Sequence, residues 1–276
     1  MLDPFDYKEP SCAVCGGKEF YYPEKDSPEG HIPVERVIEK LDKLFDKNDM
    51  SEAGRLLKYW QGEAVALKDR RGELAMTSEL IGFYRKTGER ENALVCVERG
   101  LSLLEELGLG DSVSGATILL NAATTLKAFG QAERALPLYE RTEKIYRARL
   151  SPEDARFGGL YNNRALALHD LGNFEDSEKC FFQALEIMGN IEHGETDMAV
   201  TYVNLAHLYE DWLEEPETKI DECMNRALAL LDTESLPRNG YYAFVCSKCA
   251  PSFGYFGYFL ADRELKKRAE ELYARA

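Results

Sequence analysis

One phrase returns along this chain at nearly constant spacing, and it limits the available folds more than any other feature. It reads Asn121-Ala122-Ala123 with Leu126 and Gly130, then Asn163-Arg164-Ala165 with Leu168 and Gly172, then Asn204-Leu205-Ala206 with Tyr209. The asparagines lie 42 and then 41 residues apart. A period of that length marks a solenoid of helical hairpins, in which each unit buries its apolar face only against its neighbours. Stacking of that kind implies an extended surface and no enclosed catalytic pocket, so the pattern points to binding.

Gly88, Gly130 and Gly172 end successive first helices, with Asn48 before them and Glu215 and Ala261 after them in the same role. Small residues or their stand-ins flank this landmark on both sides. Ala53, Ala93, Ala135 and Ser177 follow it, while Leu41, Ile81, Ala123, Ala165 and, in the last unit, Gly254 precede it. Small side chains there let the two helices of a hairpin approach closely. Six helical pairs are predicted, over 32–68, 72–108, 112–150, 154–190, 196–232 and 238–276. Ser151-Pro152 reads as an N-cap followed by proline at the first helical position. No run alternates with period two between turn signals, so the predicted class is all-α without a sheet. Residues 1–31 fall outside the repeat as an extended arm, and 32–276 form the array.

Composition narrows the partners. The apolar fraction of 45% and charged fraction of 30% are those of an ordinary globular protein. A net charge of −15 argues against binding to phosphate backbones, which needs clustered lysine and arginine. It favours basic peptides or proteins, or simply keeps a large surface solvated. The start, Met1-Leu2-Asp3-Pro4-Phe5-Asp6, lacks the basic and apolar regions of a signal peptide, and no apolar run approaches the length needed to span a bilayer. The expectation is a cytoplasmic protein with no membrane and no nucleic-acid partner.

The small–loop–Gly–small pattern, with Asn-x-Ala-x-x-Leu in the first helix, resembles tetratricopeptide repeats. Its long period resembles the variety seen in kinesin light chain. The match covers residues 70–232 well; the first unit departs at Glu39 and Asn48, and the last at Ser252 and Pro251. The resemblance implies a right-handed superhelical solenoid of about six hairpins, serving as a non-enzymatic scaffold for proteins or peptides. It says nothing of which partner, since such repeats serve many. In that family the first helices line the concave face. The matching ligand-facing positions are Glu79, Asn121, Asn163 and Asn204, with Asn162, Thr124, Lys127, His169 and His207 beside them. A side-chain amide carries donors and an acceptor, so a ladder of them can pair with the backbone of an extended peptide. Alternatively, each asparagine bonds the preceding repeat and fixes the stacking. A clamp for a terminal carboxylate is not expected, because apart from Lys127 the inward positions carry threonine, histidine, Glu79, Asp170 and Asp211. Arg164 stands where Leu80, Leu205 and Phe253 stand in other units. It must either meet a carboxylate of a neighbouring helix or turn into the groove.

Seven cysteines fall into two groups. Cys96, Cys180 and Cys223 share one position in the second helices, where cysteine acts as a small buried hydrophobe. The pairs Cys12/Cys15 and Cys246/Cys249 together carry four thiolates, the set for a structural zinc, although their separation far exceeds zinc-ribbon spacing. A metal there would pin the arm across the array. The competing readings are plain packing along one helix face, a separate metal knuckle at Cys12 and Cys15, or a disulfide. Otherwise no cofactor is required. The arm and the last unit are both rich in aromatics, from Phe5 and Tyr7 to Tyr241, Tyr242, Phe253 and Tyr255. The terminal unit is therefore expected to be covered by the arm, by a second copy in a homodimer, or by a partner. No GxxxxGK[ST], HExxH, GxSxG or GxGxxG motif occurs, which argues against an enzyme. The remaining alternatives are an assembly module filled by its own arm or a second copy, and a receptor for a small signalling peptide.

Overall fold

Short polar residues start the helices and left-handed residues stop them. Asp49, Asp69, Ser112 and Asn239 each accept a backbone N–H three residues on, at 2.9–3.0 Å, satisfying donors that a helix start leaves unpaired. The computed structural model describes residues 29–275, and the described residues form twelve α-helices and no strand. These are α1 (Val34–Asp46), α2 (Met50–Ala66), α3 (Arg70–Thr87), α4 (Arg90–Glu106), α5 (Val113–Ala128), α6 (Ala132–Arg149), α7 (Arg156–Asp170), α8 (Phe174–Gly189), α9 (Glu195–Trp212), α10 (Glu217–Leu231), α11 (Gly240–Tyr255) and α12 (Phe259–Arg275). They pair into the six predicted hairpins, so the chain is an all-α helical repeat solenoid. None of the described helices is long and apolar enough to cross a membrane.

The turns follow the predicted landmark with two exceptions. Asn48, Gly88, Gly130 and Gly172 all have positive φ, between 54° and 78°. In the last hairpin that role belongs to Gly257 (φ 87°) and not to Ala261, since a Cβ disfavours the left-handed conformation. Ala250, fully buried, then takes the small position assigned to Gly254. Between α9 and α10 there is no left-handed residue. Leu213 is extended (ψ 145°), and the link 213–216 is longer than the Leu171-Gly172-Asn173 turn before it. Nor does Ser151-Pro152 open α7. Asp154 N–H returns to Ser151 C=O, making a turn, and helix begins at Arg156, whose N–H is taken by Asp154 Oδ1 at 3.0 Å.

The described residues divide into two compact units at Arg149 and Leu150. In residues 29–149, α2 packs on α3, α4 on α5, and α3 lies beside α5. Ala53, Leu57, Leu80, Ile81, Ala93, Val97, Ala123, Ala135 and Tyr139 fill the core. The segment before α1 joins it through Glu29 N–H to Leu67 C=O and Ile32 N–H to Asp69 Oδ2. Buried Glu73 meets the Arg99 fork at 2.7 and 3.1 Å, as a buried carboxylate must be met. In residues 150–275, α8 packs on α9, and α7 and α11 lie on either side of α9. Here Ser177 replaces alanine and its hydroxyl donates to Ala165 C=O at 2.8 Å.

The terminal hairpin divides its aromatics between core and solvent. Tyr242 and Phe253 are buried, and the Tyr242 hydroxyl donates to Leu231 C=O at 2.9 Å. Glu264, Lys266, Lys267, Glu270 and Glu271 of α12 are exposed, the polar outer face expected of a terminal repeat. The arm, including Cys12 and Cys15, lies outside the described residues up to position 28.

A Cβ at Gly130 would meet no atom within 4 Å, so only its backbone conformation resists a side chain. Gly130→Ala should lower stability by about 1–2 kcal/mol without loss of native helicity. Denaturant titration followed by circular dichroism measures this, and an unchanged midpoint would show that the turn tolerates alanine.

Candidate functional site

The polar residues of the first helices meet in rungs between neighbouring helices. On α9, Asn204 Nδ2 donates to Asn162 Oδ1 of α7 at 3.1 Å, and Thr201 Oγ1 donates to the same oxygen at 3.1 Å. Asn162 and Asn204 are 0% and 2% exposed. Neither Asn162 Nδ2 nor Asn204 Oδ1 has a hydrogen-bond partner among the described residues. One amide pair therefore retains an unused donor and an unused acceptor. A second rung lies two helical turns further along both helices, where His169 Nε2 and Asp211 Oδ2 stand 2.7 Å apart. Both rungs join residues 42 apart in sequence.

Further rungs tie α9 to α11. His207 Nε2 lies 3.2 Å from Ser252 Oγ, and the Tyr255 hydroxyl donates to Glu210 Oε1 at 2.7 Å. That bond raises the Tyr255 phenol above its ordinary value, because the neutral form is the donor. The His207 ring lies 4.8 Å from Phe256 and 5.7 Å from Tyr255, centroid to centroid. Trp212 stacks on Phe174, which also borders His169.

In residues 29–149 the corresponding contact is Asn121 Nδ2 donating to Ser78 Oγ at 3.3 Å. Lys127 is buried. Thr124 turns the other way from the predicted inner face: its hydroxyl donates to Leu120 C=O and receives the Tyr139 hydroxyl of α6, inside its own hairpin. Asn163 is buried but does not share a position with Asn204, which meets Asn162 instead. Asn204 lies 41 residues after Asn163 but 42 after Asn162, and the second helices shift the other way: Cys180, Ala184 and Met188 recur 43 residues on as Cys223, Ala227 and Leu231. Arg164 is half-buried, and its charge adds to the stronger effect of hydrogen-bonded Lys179 in holding the Asp176 carboxyl below its usual range.

Sequence reasoning missed Thr201, Glu210 and Arg85. Arg85 is 4% exposed, with Nε and Nη2 unbonded among the described residues. It precedes Gly88 as Lys127 precedes Gly130 and His169 precedes Gly172, so the repeat itself could have found it. Shared spacing would likewise have found the rungs.

Cys246 and Cys249 sit one turn apart in α11, both buried. Burial pushes the Cys246 thiol up to about 11 and raises Cys249 further. The other two members of the predicted metal set, Cys12 and Cys15, lie outside the described residues. Cys96, Cys180 and Cys223 are buried as expected, and burial pushes Cys96 up to about 11 and Cys223 up to about 12.

Residues 73–148 match the tetratricopeptide repeat family model, and residues 159–188 match a second model of the same repeat. These segments are tetratricopeptide repeats. The chain is similar in structure to the putative kinesin light chain nearly identical TPR-like repeats of Podosopora anserina, at 16% identity, covering 74% of this chain and 96% of that one with a TM-score of 0.50. A variant of that protein gives 16% identity, 74% and 95% coverage and a TM-score of 0.51. BtubC (BKLC) from P. vanneervenii matches at 22% identity, over 89% of this chain and 92% of that one, with a TM-score of 0.48. No curated protein matches. The tetratricopeptide array is of the kinesin-light-chain-like kind in fold, and its repeats make it a protein-interaction scaffold in general terms.

The raised thiols carry a pH signature. The folded state holds these protons above the ordinary thiol value of 9.0, so their contribution to stability is present below about pH 9 and is lost as pH rises through 11–12. Alkylation at pH 8 followed by peptide mapping should label Cys96, Cys223, Cys246 and Cys249 slowly in the native protein and fast in denaturant. Equal rates in both would show that these thiols are accessible in the fold.

Proposed function

We propose that this tetratricopeptide array is a non-enzymatic scaffold that receives an extended peptide segment of a protein partner along the first-helix face of α7, α9 and α11. The observation that supports it is the Asn162–Asn204 pair. An amide in a β-conformation peptide presents one N–H and one C=O, the complement of the unused Asn204 Oδ1 and Asn162 Nδ2. A buried polar atom without a partner costs about 1–3 kcal/mol. Both atoms are closed off from solvent, so a bound backbone amide relieves that cost once the two side chains turn towards it.

Recognition through backbone groups requires no fixed side chain at that point of the partner, so selectivity must come from groups further along the same helices. This reading keeps part of the expected asparagine ladder, with Asn162 and Asn204 as its centre in this unit.

The test is Asn162→Leu with Asn204→Leu, which removes both amides together while keeping similar volume. Replacing both partners of a hydrogen bond by apolar groups is nearly neutral for stability, and the Thr201 hydroxyl, released from Asn162 Oδ1, has Asp197 C=O at 3.0 Å as the acceptor for its one proton. The double variant should keep its denaturation midpoint within about 1 kcal/mol of stability or raise it. Its affinity for a peptide selected by the unaltered full chain from a phage-displayed library should fall at least about tenfold, the loss of roughly 1.4 kcal/mol. Unchanged affinity would reject the asparagine pair as a contact.

A further inference from the structure

The last hairpin begins at the only dipeptide of the chain in which glycine follows asparagine, Asn239-Gly240. Every other asparagine precedes a residue with a Cβ, as Asn163 precedes Arg164 and Asn204 precedes Leu205. A Cβ crowds the approach of a backbone nitrogen to the preceding side chain, and glycine removes that obstacle. A five-membered ring then needs a single new bond, from Gly240 N to Asn239 Cγ.

Three features of the fold bear on that bond. Asn239 is exposed and extended (φ −104°, ψ −174°), and it stands just outside α11 as its N-cap. Ring closure turns ψ and χ1 at this exposed end, against the bond from Ala243 N–H to Asn239 C=O at 3.0 Å. Next, the Gly240 N–H opens the helix and has no acceptor among the described residues, so its proton leaves without breaking a hydrogen bond. Finally, Asn239 Oδ1 accepts the Tyr242 N–H at 3.0 Å. Attack on Cγ moves an electron pair onto that oxygen. A backbone N–H at the positive end of a helix stabilises the charge as it forms, so the cap doubles as a small oxyanion hole.

We infer that Asn239 is a site of spontaneous deamidation in the folded protein, which rewrites the cap of α11 after synthesis. The Gly240 nitrogen loses its proton to hydroxide and attacks Cγ. The Cγ–Nδ2 bond breaks, and the amide leaves as ammonia with a proton returned from water, leaving a succinimide. Water then opens the ring at either carbonyl. Opening at Cγ gives aspartate, whose carboxylate still caps Tyr242 N–H and suits the helix dipole. Opening at the main-chain carbonyl gives isoaspartate, which carries the chain through Cβ and Cγ, adds a methylene to the backbone and dismantles the cap. Because α11 packs on α9 in the same unit, the second product loosens one of the helices of the first-helix face.

The experiment follows the full chain by intact mass and peptide mapping during incubation at pH 7 and pH 8, folded and in denaturant, beside Gly240→Ala. The folded protein should gain the mass of an amide-to-acid change at Asn239 and at no other asparagine. The rate should rise about tenfold from pH 7 to pH 8, as the ionised fraction of a weakly acidic nitrogen does. Gly240→Ala, which keeps Asn239 and its capping oxygen, should lose the conversion. Hydrogen exchange in the first turn of α11 should be unchanged in the aspartate product and faster in the isoaspartate product. Conversion confined to the denatured chain would overturn the inference, because the cap would then hold the amide closed. So would conversion spread evenly over the asparagines, or conversion undiminished in Gly240→Ala.

Discussion

The close approach of two helices at a small residue is the contact on which every hairpin depends. Ala123 and Ala135 are both fully buried in one hairpin, and in the next the Ser177 hydroxyl donates to the Ala165 carbonyl. A larger side chain at either point would hold the helices apart and leave the flanking leucines and tyrosines without neighbours. Once that distance is fixed, the left-handed turn at Gly88, Gly130 or Gly172 follows, because only a short, tightly reversing link joins helices so near each other.

With the hairpins fixed, adjacent first helices have to share a surface, and in residues 150–275 that surface is polar where an apolar one would pack as well. Asn162, Thr201 and Asn204 form one cluster, and His169 with Asp211 a second. A scaffold has no need of such groups for stability alone: buried amides with unused valences cost free energy that leucine would not.

Much of this was legible in the sequence, because the repeat pins residues that obey local rules. The helical pairs, the landmark glycines, the small positions and the burial of Cys96, Cys180 and Cys223 all follow from spacing and side-chain size. The errors have local causes too. Ala261 was read as a turn residue 46 residues after Glu215, whereas the 42-residue period and the left-handed backbone both place the turn at Gly257. Ser151-Pro152 has the composition of a helix start, yet Asp154 captures the N–H of Arg156 and the helix begins later.

The sequence by itself determined the repeat, the all-α class and the first four turns, at Asn48, Gly88, Gly130 and Gly172, since these depend on residues near one another along the chain. Only the tertiary structure decided which asparagine meets which. Asn163 and Asn204 look equivalent in the phrase that repeats, but a shift of one or two residues turns a helical side chain through 100° or more. Packing of α9 against α7 brought Asn204 to Asn162, turned Thr124 into its own hairpin, and aligned His169 with Asp211. The direction of a side chain around its helix is fixed by what the helix packs against, and that information is spread over three helices rather than written in one repeat.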